Sequence, residues 1–199
     1  MEPKHLIVGL GNPGSEYEKT RHNAGFMLVE RLVQELKINW TNERKFLARI
    51  AQANSFGKKL VLCEPQTFMN LSGEAVGSLV KYYQLPLSNI LVVVDDADLS
   101  LGEIRLRPNG GSGGHHGLDS VTHHLGSHDY ARLRIGIGRK NDVREIAGYV
   151  LSKFDAGDRV VFEQVMDRAV DQIKCWLSDG LQKAMSQFNG AISLNKEEK

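Results

Sequence analysis

The sequence predicts a single α/β domain: a mixed, twisted sheet flanked by helices. Three observations carry that expectation. Apolar runs of strand length alternate with stretches whose apolar residues recur at helical spacing. One pair of runs is separated by a short turn and reads as a hairpin, so the sheet is mixed rather than all parallel. No internal repeat and no linker divides the 199 residues, a length that suits one domain with a sizeable core. The domain is expected over 1–191, followed by a polar, disordered tail at 192–199.

The elements follow in order. Leu6-Ile7-Val8 is a buried strand, broken by Gly9-Leu10-Gly11-Asn12-Pro13-Gly14 into a tight loop. Phe26, Val29, Leu32, Val33 and Leu36 then mark a helix. Residues 45–51 and 60–63 form the hairpin across Ser55-Phe56-Gly57-Lys58-Lys59. Val76, Leu79, Val80 and Tyr83 share one face of a helix that stops near Pro86. Ile90-Leu91-Val92-Val93-Val94, the most apolar run, is a central strand ending in Asp95-Asp96. Glu103-Ile104-Arg105-Leu106-Arg107 alternates like a half-exposed strand. A glycine-rich segment at 109–117 precedes a helix carrying Leu118, Val121 and Leu125. Residues 132–138 alternate as another strand, 142–151 look helical, and 155–176 form a long amphipathic helix ended by Gly180.

Composition narrows the class. The net charge of +1 says nothing about partners. Cys63 and Cys175, the only cysteines, form no C-x-x-C, which suits a reducing cytoplasm and excludes a disulfide framework or a thiolate-rich zinc site. Met1-Glu2-Pro3-Lys4-His5 shows no signal-peptide pattern, and no apolar run approaches the ~18 residues of a membrane span. His115, His116, His123, His124 and His128 invite a metal reading. Gly126 interrupts the helical pair His124/His128, however, and no H-E-x-x-H occurs, so no metal and no cofactor is expected.

The loop at 9–14 literally matches G-x-G-x-x-G, which would imply a dinucleotide-binding oxidoreductase using NAD. In that fingerprint the helix opens within the glycines and meets the pyrophosphate with its N–H groups. Here Pro13 removes a donor, residues 15–20 intervene before helical periodicity begins, and no acidic residue marks a second strand end.

Strand ends of open α/β sheets form ligand crevices. Four strand-leaving loops carry polar residues: Asn12, Asn70, Asp96 and the His115-His116 pair. With His22 they supply an imidazole, a carboxylate and amides. A carboxylate beside a histidine orients it and stabilises its imidazolium, so that it can take a proton from water. Side-chain amides can donate to a developing oxyanion. No nucleophile elbow is present, so water is the expected attacker. Taken singly, Asn12 is equally a turn residue, His22 and Asn70 equally helix caps, and Asp95-Asp96 equally a solvated strand end. Basic residues also cluster: Arg105, Arg107, Arg132, Arg134, Arg139 and Lys140 surround the glycine-rich segment, with only Asp119 and Asp129 opposing. Alternation puts Arg105 and Arg107 on one face of their strand and Arg132 and Arg134 on one face of theirs, spacing that favours a shared basic face, read either as a phosphate cradle or as a solvated surface.

At these residues the chain resembles bacterial-type peptidyl-tRNA hydrolase. The matching blocks are residues 6–14, Tyr17, Thr20-Arg21-His22-Asn23-Ala24-Gly25, Pro65-Gln66-Thr67-Phe68-Met69-Asn70-Leu71-Ser72-Gly73, 96–99, 110–117, 132–138 and 176–183, nearly the whole chain in order. The resemblance implies that family's fold and a metal-independent esterase. Such an enzyme releases tRNA by cleaving the bond between a peptide and the 3′-terminal ribose. It further implies His22 as the base, Asp96 holding it, Asn12 selecting substrates with a blocked amino group, and Asn70 binding the peptide or terminal nucleotide. Tyr17 and Phe68 would line the cleft, His115 and His116 would belong to the substrate site, and Arg107 and Arg134 would clamp phosphates at the acceptor end. A cytoplasmic monomer with no membrane partner is expected. Two departures stand out. His116 occupies a position where the family usually has Asn. Asp95 replaces a His that often precedes the catalytic Asp, and strand alternation is expected to turn Asp95 away from the site. The alternative from another class is a non-catalytic RNA-binding protein on the same scaffold, with His116 a sign of lost activity.

Overall fold

A computed structural model describes residues 4–138 and 146–192. Its frame is one eight-stranded sheet. The strands are β1 (Lys4–Gly9), β2 (Thr41–Glu43), β3 (Ala48–Ser55), β4 (Lys58–Pro65), β5 (Ile90–Asp96), β6 (Glu103–Arg107), β7 (Ala131–Gly136) and β8 (Gly190–Ala191), in the order β2-β3-β4-β1-β5-β7-β6-β8. The central strands β4, β1, β5 and β7 run parallel, and both edges are antiparallel. The expected hairpin is β3–β4, with Ser55 paired to Lys58.

Among the described residues six α-helices cover the sheet: α1 (Ala24–Glu35), α2 (Ser72–Tyr83), α3 (His116–Leu125), α4 (Ile146–Val150), α5 (Ala156–Asp179) and α6 (Leu181–Phe188). Strand alternation divides the core into two layers. Ile7, Leu91, Val93, Leu133 and Ile135 pack against α1, α5 and α6 through Leu28, Val29, Phe162, Val165, Ile173 and Ala184. Leu6, Val8, Ile90, Val92 and Val94 pack on the opposite face against α2 and α3 through Val76, Leu79, Leu118 and Val121. Burying each such Val, Leu or Ile side chain contributes roughly 1.5–3 kcal/mol. The start of α1 approaches β1 so closely that a Cβ on Gly9 would overlap the Gly25 carbonyl, and a Cβ on Gly25 would overlap the Leu10 backbone. These two glycines set how near α1 comes to the sheet.

Several expectations need adjusting. Strand β3 starts at Ala48, not at 45, because Arg44–Phe46 is a 3₁₀ turn closed by Leu47 in the left-handed region (φ 51°). Strands β2 and β8 and helix α6 are additions to the sequence reading. Arg139, Lys140, the expected helix start at 142 and the tail from 193 lie outside the described residues. The loop at 9–14 leads into a turn, where Tyr17 N–H bonds Gly14 O and Thr20 N–H bonds Tyr17 O. Helix α1 therefore opens well after the glycines, and no pyrophosphate could meet its N-terminus at the G-x-G-x-x-G.

The basic alternation is borne out in register. Arg105 pairs with Arg134 and Arg107 with Arg132, so all four share one face. Their roles differ. Arg132 is 1% exposed. Its guanidinium donates to the carbonyls of Gly110, Gly111, His128 and Tyr130 and lies 4.3 Å over the Tyr130 ring. These carbonyls satisfy both Nη atoms of the buried cation, leaving Nε without a partner among the described residues, and pin the glycine-rich loop to the sheet.

Candidate active site

The C-terminal ends of β1, β4 and β5, with the starts of α1 and α3, enclose a cleft of about 500 Å³ lined by Asn12, His22, Asp95, Asp96, His115, His116 and Arg134. A second branch of about 340 Å³ adds Phe68, Met69 and Asn70, and shares Asn12, His22 and His116. Crevices outside the carboxyl ends of parallel strands are the expected place for ligands.

His22 sits on a 3₁₀ turn (Arg21–Asn23) just ahead of α1. Its Nδ1 lies 3.0 Å from Asp95 Oδ1 and 3.1 Å from Oδ2. The expected partner was Asp96, and here the sequence reading is corrected by one residue. Asp95 follows Leu91 and Val93 onto the α1 face of β5, where His22 is. Asp96 takes the opposite parity. It bonds Arg134 Nη1 at 3.0 Å and the Asp98 N–H at 2.8 Å. Asp95, expected to face away, is the inward carboxylate.

Asp95 is 3% exposed. Burial alone would raise its pKa, but hydrogen bonds from His115 and His22 outweigh that and hold it at about 2. An ionised carboxylate only accepts, so His22 must present Nδ1–H to it. The lone pair of neutral His22 is then on Nε2, on the cleft side. His115 supplies the second hydrogen bond, Nε2 to Asp95 Oδ1 at 3.1 Å. Its Nδ1 accepts from the N–H groups of Gly117 (3.2 Å) and Leu118 (3.3 Å), capping α3 with an imidazole. Both ring nitrogens are thereby assigned: Nδ1 accepts and Nε2–H donates. The ligand atoms of His22, Asp95 and His115 fall within 4.8 Å of one another, a spacing a metal ion could use. The cap decides against that use, because His115 Nε2 carries a proton and offers no lone pair.

Asn12 is held as firmly. Its N–H donates to Asn23 Oδ1 (2.9 Å), and its C=O accepts from Asn23 Nδ2 (2.9 Å). Its own Oδ1 accepts from the Met69 N–H (2.8 Å). With the amide oxygen occupied, the side chain offers the cleft only N–H donors.

The remaining expected residues divide. Asn70 and Phe68, the latter 58% exposed, line the second branch with His22. His116 borders both branches, and His115 is reached through Asp95. Tyr17 lines neither branch among the described residues, and its carbonyl closes the turn before Thr20. Arg134 lines the cleft but is engaged with Asp96, Gly111 O (2.8 Å) and Ser112 O (3.0 Å). Arg107 is exposed at the end of β6, away from the cleft lining, and has no ion-pair partner among the described residues. Sequence reasoning missed Asn23 and the carboxylate-bonding role of His115. The signal for Asn23 was its place beside His22, but its contacts are non-local.

The family model described as peptidyl-tRNA hydrolase matches residues 6–198. A peptidyl-tRNA hydrolase of Carboxydothermus hydrogenoformans is 48% identical over 184 residues, covering 92% of this chain and 97% of that protein. One from Thermoanaerobacter sp. is 43% identical, over 94% of this chain and all of its own length. The crystal structure of peptidyl-tRNA hydrolase from Acinetobacter baumannii superposes with a TM-score of 0.90 at 39% identity, covering 96% of this chain and 97% of that one. This chain belongs to the peptidyl-tRNA hydrolase family.

Proposed function

We propose that the chain hydrolyses peptidyl-tRNA at the ester between the peptide and the 3′-terminal ribose, with His22 as general base. The observation that carries this reading is the contact of His22 Nδ1 with both oxygens of the buried Asp95 carboxylate, from which the single tautomer of His22 follows. Nε2 takes a proton from water as that water attacks the ester carbonyl. Asp95 stabilises the imidazolium that forms, and His22 returns the proton to the departing ribose oxygen. The N–H donors of Asn12 meet a substrate carbonyl. A free α-ammonium would face those donors with N–H groups of its own, so a blocked amino group is selected. Asn70 binds beside the water, and Phe68 offers a face on which an unstacked 3′ base can lie. His116 is an imidazole at the junction of both branches, where it can donate or accept. Arg134 and Arg107 contribute phosphate contacts at the acceptor end, Arg134 by exchanging part of its bonding with Asp96. The protein acts as a cytoplasmic monomer without metal. Among the described residues no helix is long and apolar enough to cross a membrane.

His22→Ala should lower kcat on peptidyl-tRNA by about 10²–10⁴-fold while the fold survives. Undiminished turnover removes His22 from the chemistry.

A further inference from the structure

The residue before His22 has contacts that this mechanism leaves unused. Arg21 is 5% exposed. Its guanidinium donates to Ser152 Oγ (2.8 Å), to the Lys153 carbonyl and to Asp158 Oδ2 (2.7 Å). It also lies 4.5 Å over the Tyr149 ring and 4.7 Å over the Phe154 ring. Its backbone N–H donates to Ser152 O (3.0 Å), and Thr20 bridges to Lys153. Every one of these partners belongs to the stretch that runs from α4 to the first turn of α5. A buried guanidinium is costly without such satisfaction, and a lysine could not reproduce the planar fork.

The anchored segment supplies the apolar side of the cleft. Ile146, Ala147, Val150 and Leu151 line the same cavity as His22, Asp95 and His115. Leu151 is 44% exposed. The other sides differ in chemistry: Asp96, Asp98 and Arg134 are charged, and the second branch carries Phe68 and Asn70. Reacting atoms must come within about 3–3.5 Å of one another, so the ester carbonyl has to sit beside His22. The side chain one carbon from that carbonyl must lie close by.

We propose that Arg21 is a positioning residue: it fixes the apolar wall of residues 146, 147, 150 and 151 at a set distance from His22, and the wall seats an apolar side chain on the amino acid esterified to the ribose. The inference rests on the cleavage reaction proposed above. It is tested with N-acetyl-leucyl and N-acetyl-glycyl esters of one and the same tRNA, measuring kcat and KM for the full chain, Arg21→Lys and Leu151→Ser. The unmodified chain should favour the leucyl ester by at least about tenfold in kcat/KM, the discrimination that even one methylene supplies in an apolar pocket. Both variants should bring that ratio toward one, Leu151→Ser mainly through KM for the leucyl ester. Leu151 is exposed, so its variant carries the test even where Arg21→Lys fails to fold. A ratio near one in the unmodified chain overturns the proposal. So does an equal loss on both esters in the variants, the outcome expected if the wall meets the terminal base or serves only as scaffold. A wild-type ratio in folded Arg21→Lys removes Arg21 from the assignment. If neither ester is cleaved by the unmodified chain, the hydrolase reading itself falls.

Discussion

Asp95→Asn separates the two adjacent carboxylates and tests the tautomer argument directly. Asp95 Oδ1 accepts from both His22 Nδ1 (3.0 Å) and His115 Nε2 (3.1 Å), while Oδ2 faces His22 alone at 3.1 Å. His115 can only donate there, because its Nδ1 is committed to the α3 cap. An asparagine must therefore place its oxygen at the Oδ1 position and its NH₂ at the Oδ2 position. That NH₂ points a donor at His22 Nδ1. The ring answers by presenting Nδ1 as acceptor, which moves its proton to Nε2 and removes the lone pair needed for water. General-base catalysis is typically worth about 10²–10⁴-fold, or roughly 3–5 kcal/mol of barrier. We expect kcat for peptidyl-tRNA to fall within that range in single-turnover assays, with a native circular dichroism spectrum. Asp96→Asn leaves the His22 tautomer untouched and should lose far less. If Asp95→Asn keeps activity within a few-fold while Asp96→Asn loses a hundredfold, the assignment of Asp95 is wrong.

Three further outcomes follow from the geometry. Asn23→Ala orphans the N–H and C=O of Asn12, each worth roughly 1–3 kcal/mol when left buried and unpaired. Thermal unfolding should drop by several degrees and kcat/KM should fall, whereas Asn23→Asp, which keeps the acceptor, should recover part of both. Burial, offset by Arg49 and reinforced by Glu30, raises the Glu64 pKa from 4.5 to about 7. The folded state thus holds its proton more tightly, so the contribution is full below pH 4.5 and is lost as pH rises through 7, on the order of 3 kcal/mol. Melting curves from pH 5 to pH 8 should slope less for Glu64→Gln, and identical slopes would exclude this source of the pH dependence. Arg107→Ala should weaken tRNA binding and reduce the log K against log salt slope by about 0.7–0.9, the value of one phosphate contact; an unchanged slope takes Arg107 out of the clamp.

Much of the fold was legible because its central elements state their period locally. The run at 90–94 reads as a buried strand by its length and β-branched content, and the stripe Val165, Ala169, Ile173, Trp176 reads as a helix face by its spacing. The short edge strands β2 and β8 carry no such signal, since Thr41-Asn42-Glu43 is polar and Gly190-Ala191 spans two residues. Alternation also told that Arg105 and Arg107 share a face, and Arg132 and Arg134 likewise. It did not tell that Arg132 points at carbonyls under the glycine-rich loop. The carboxylate was misassigned for a related reason. Parity along β5 was readable, but which parity faces His22 depends on the face that α1 covers, and that is settled by packing between distant segments. The single tautomers of His22 and His115 lay still further out of reach, as each depends on partners 73 and 20 residues away.

The helices that follow His22 and His115 lie on opposite faces of the sheet, and one strand-end carboxylate joins the two residues. A chain that has docked only one helical layer seats only one of the two imidazoles on Asp95. The full set of hydrogen bonds around Asp95 therefore needs both helical layers in place.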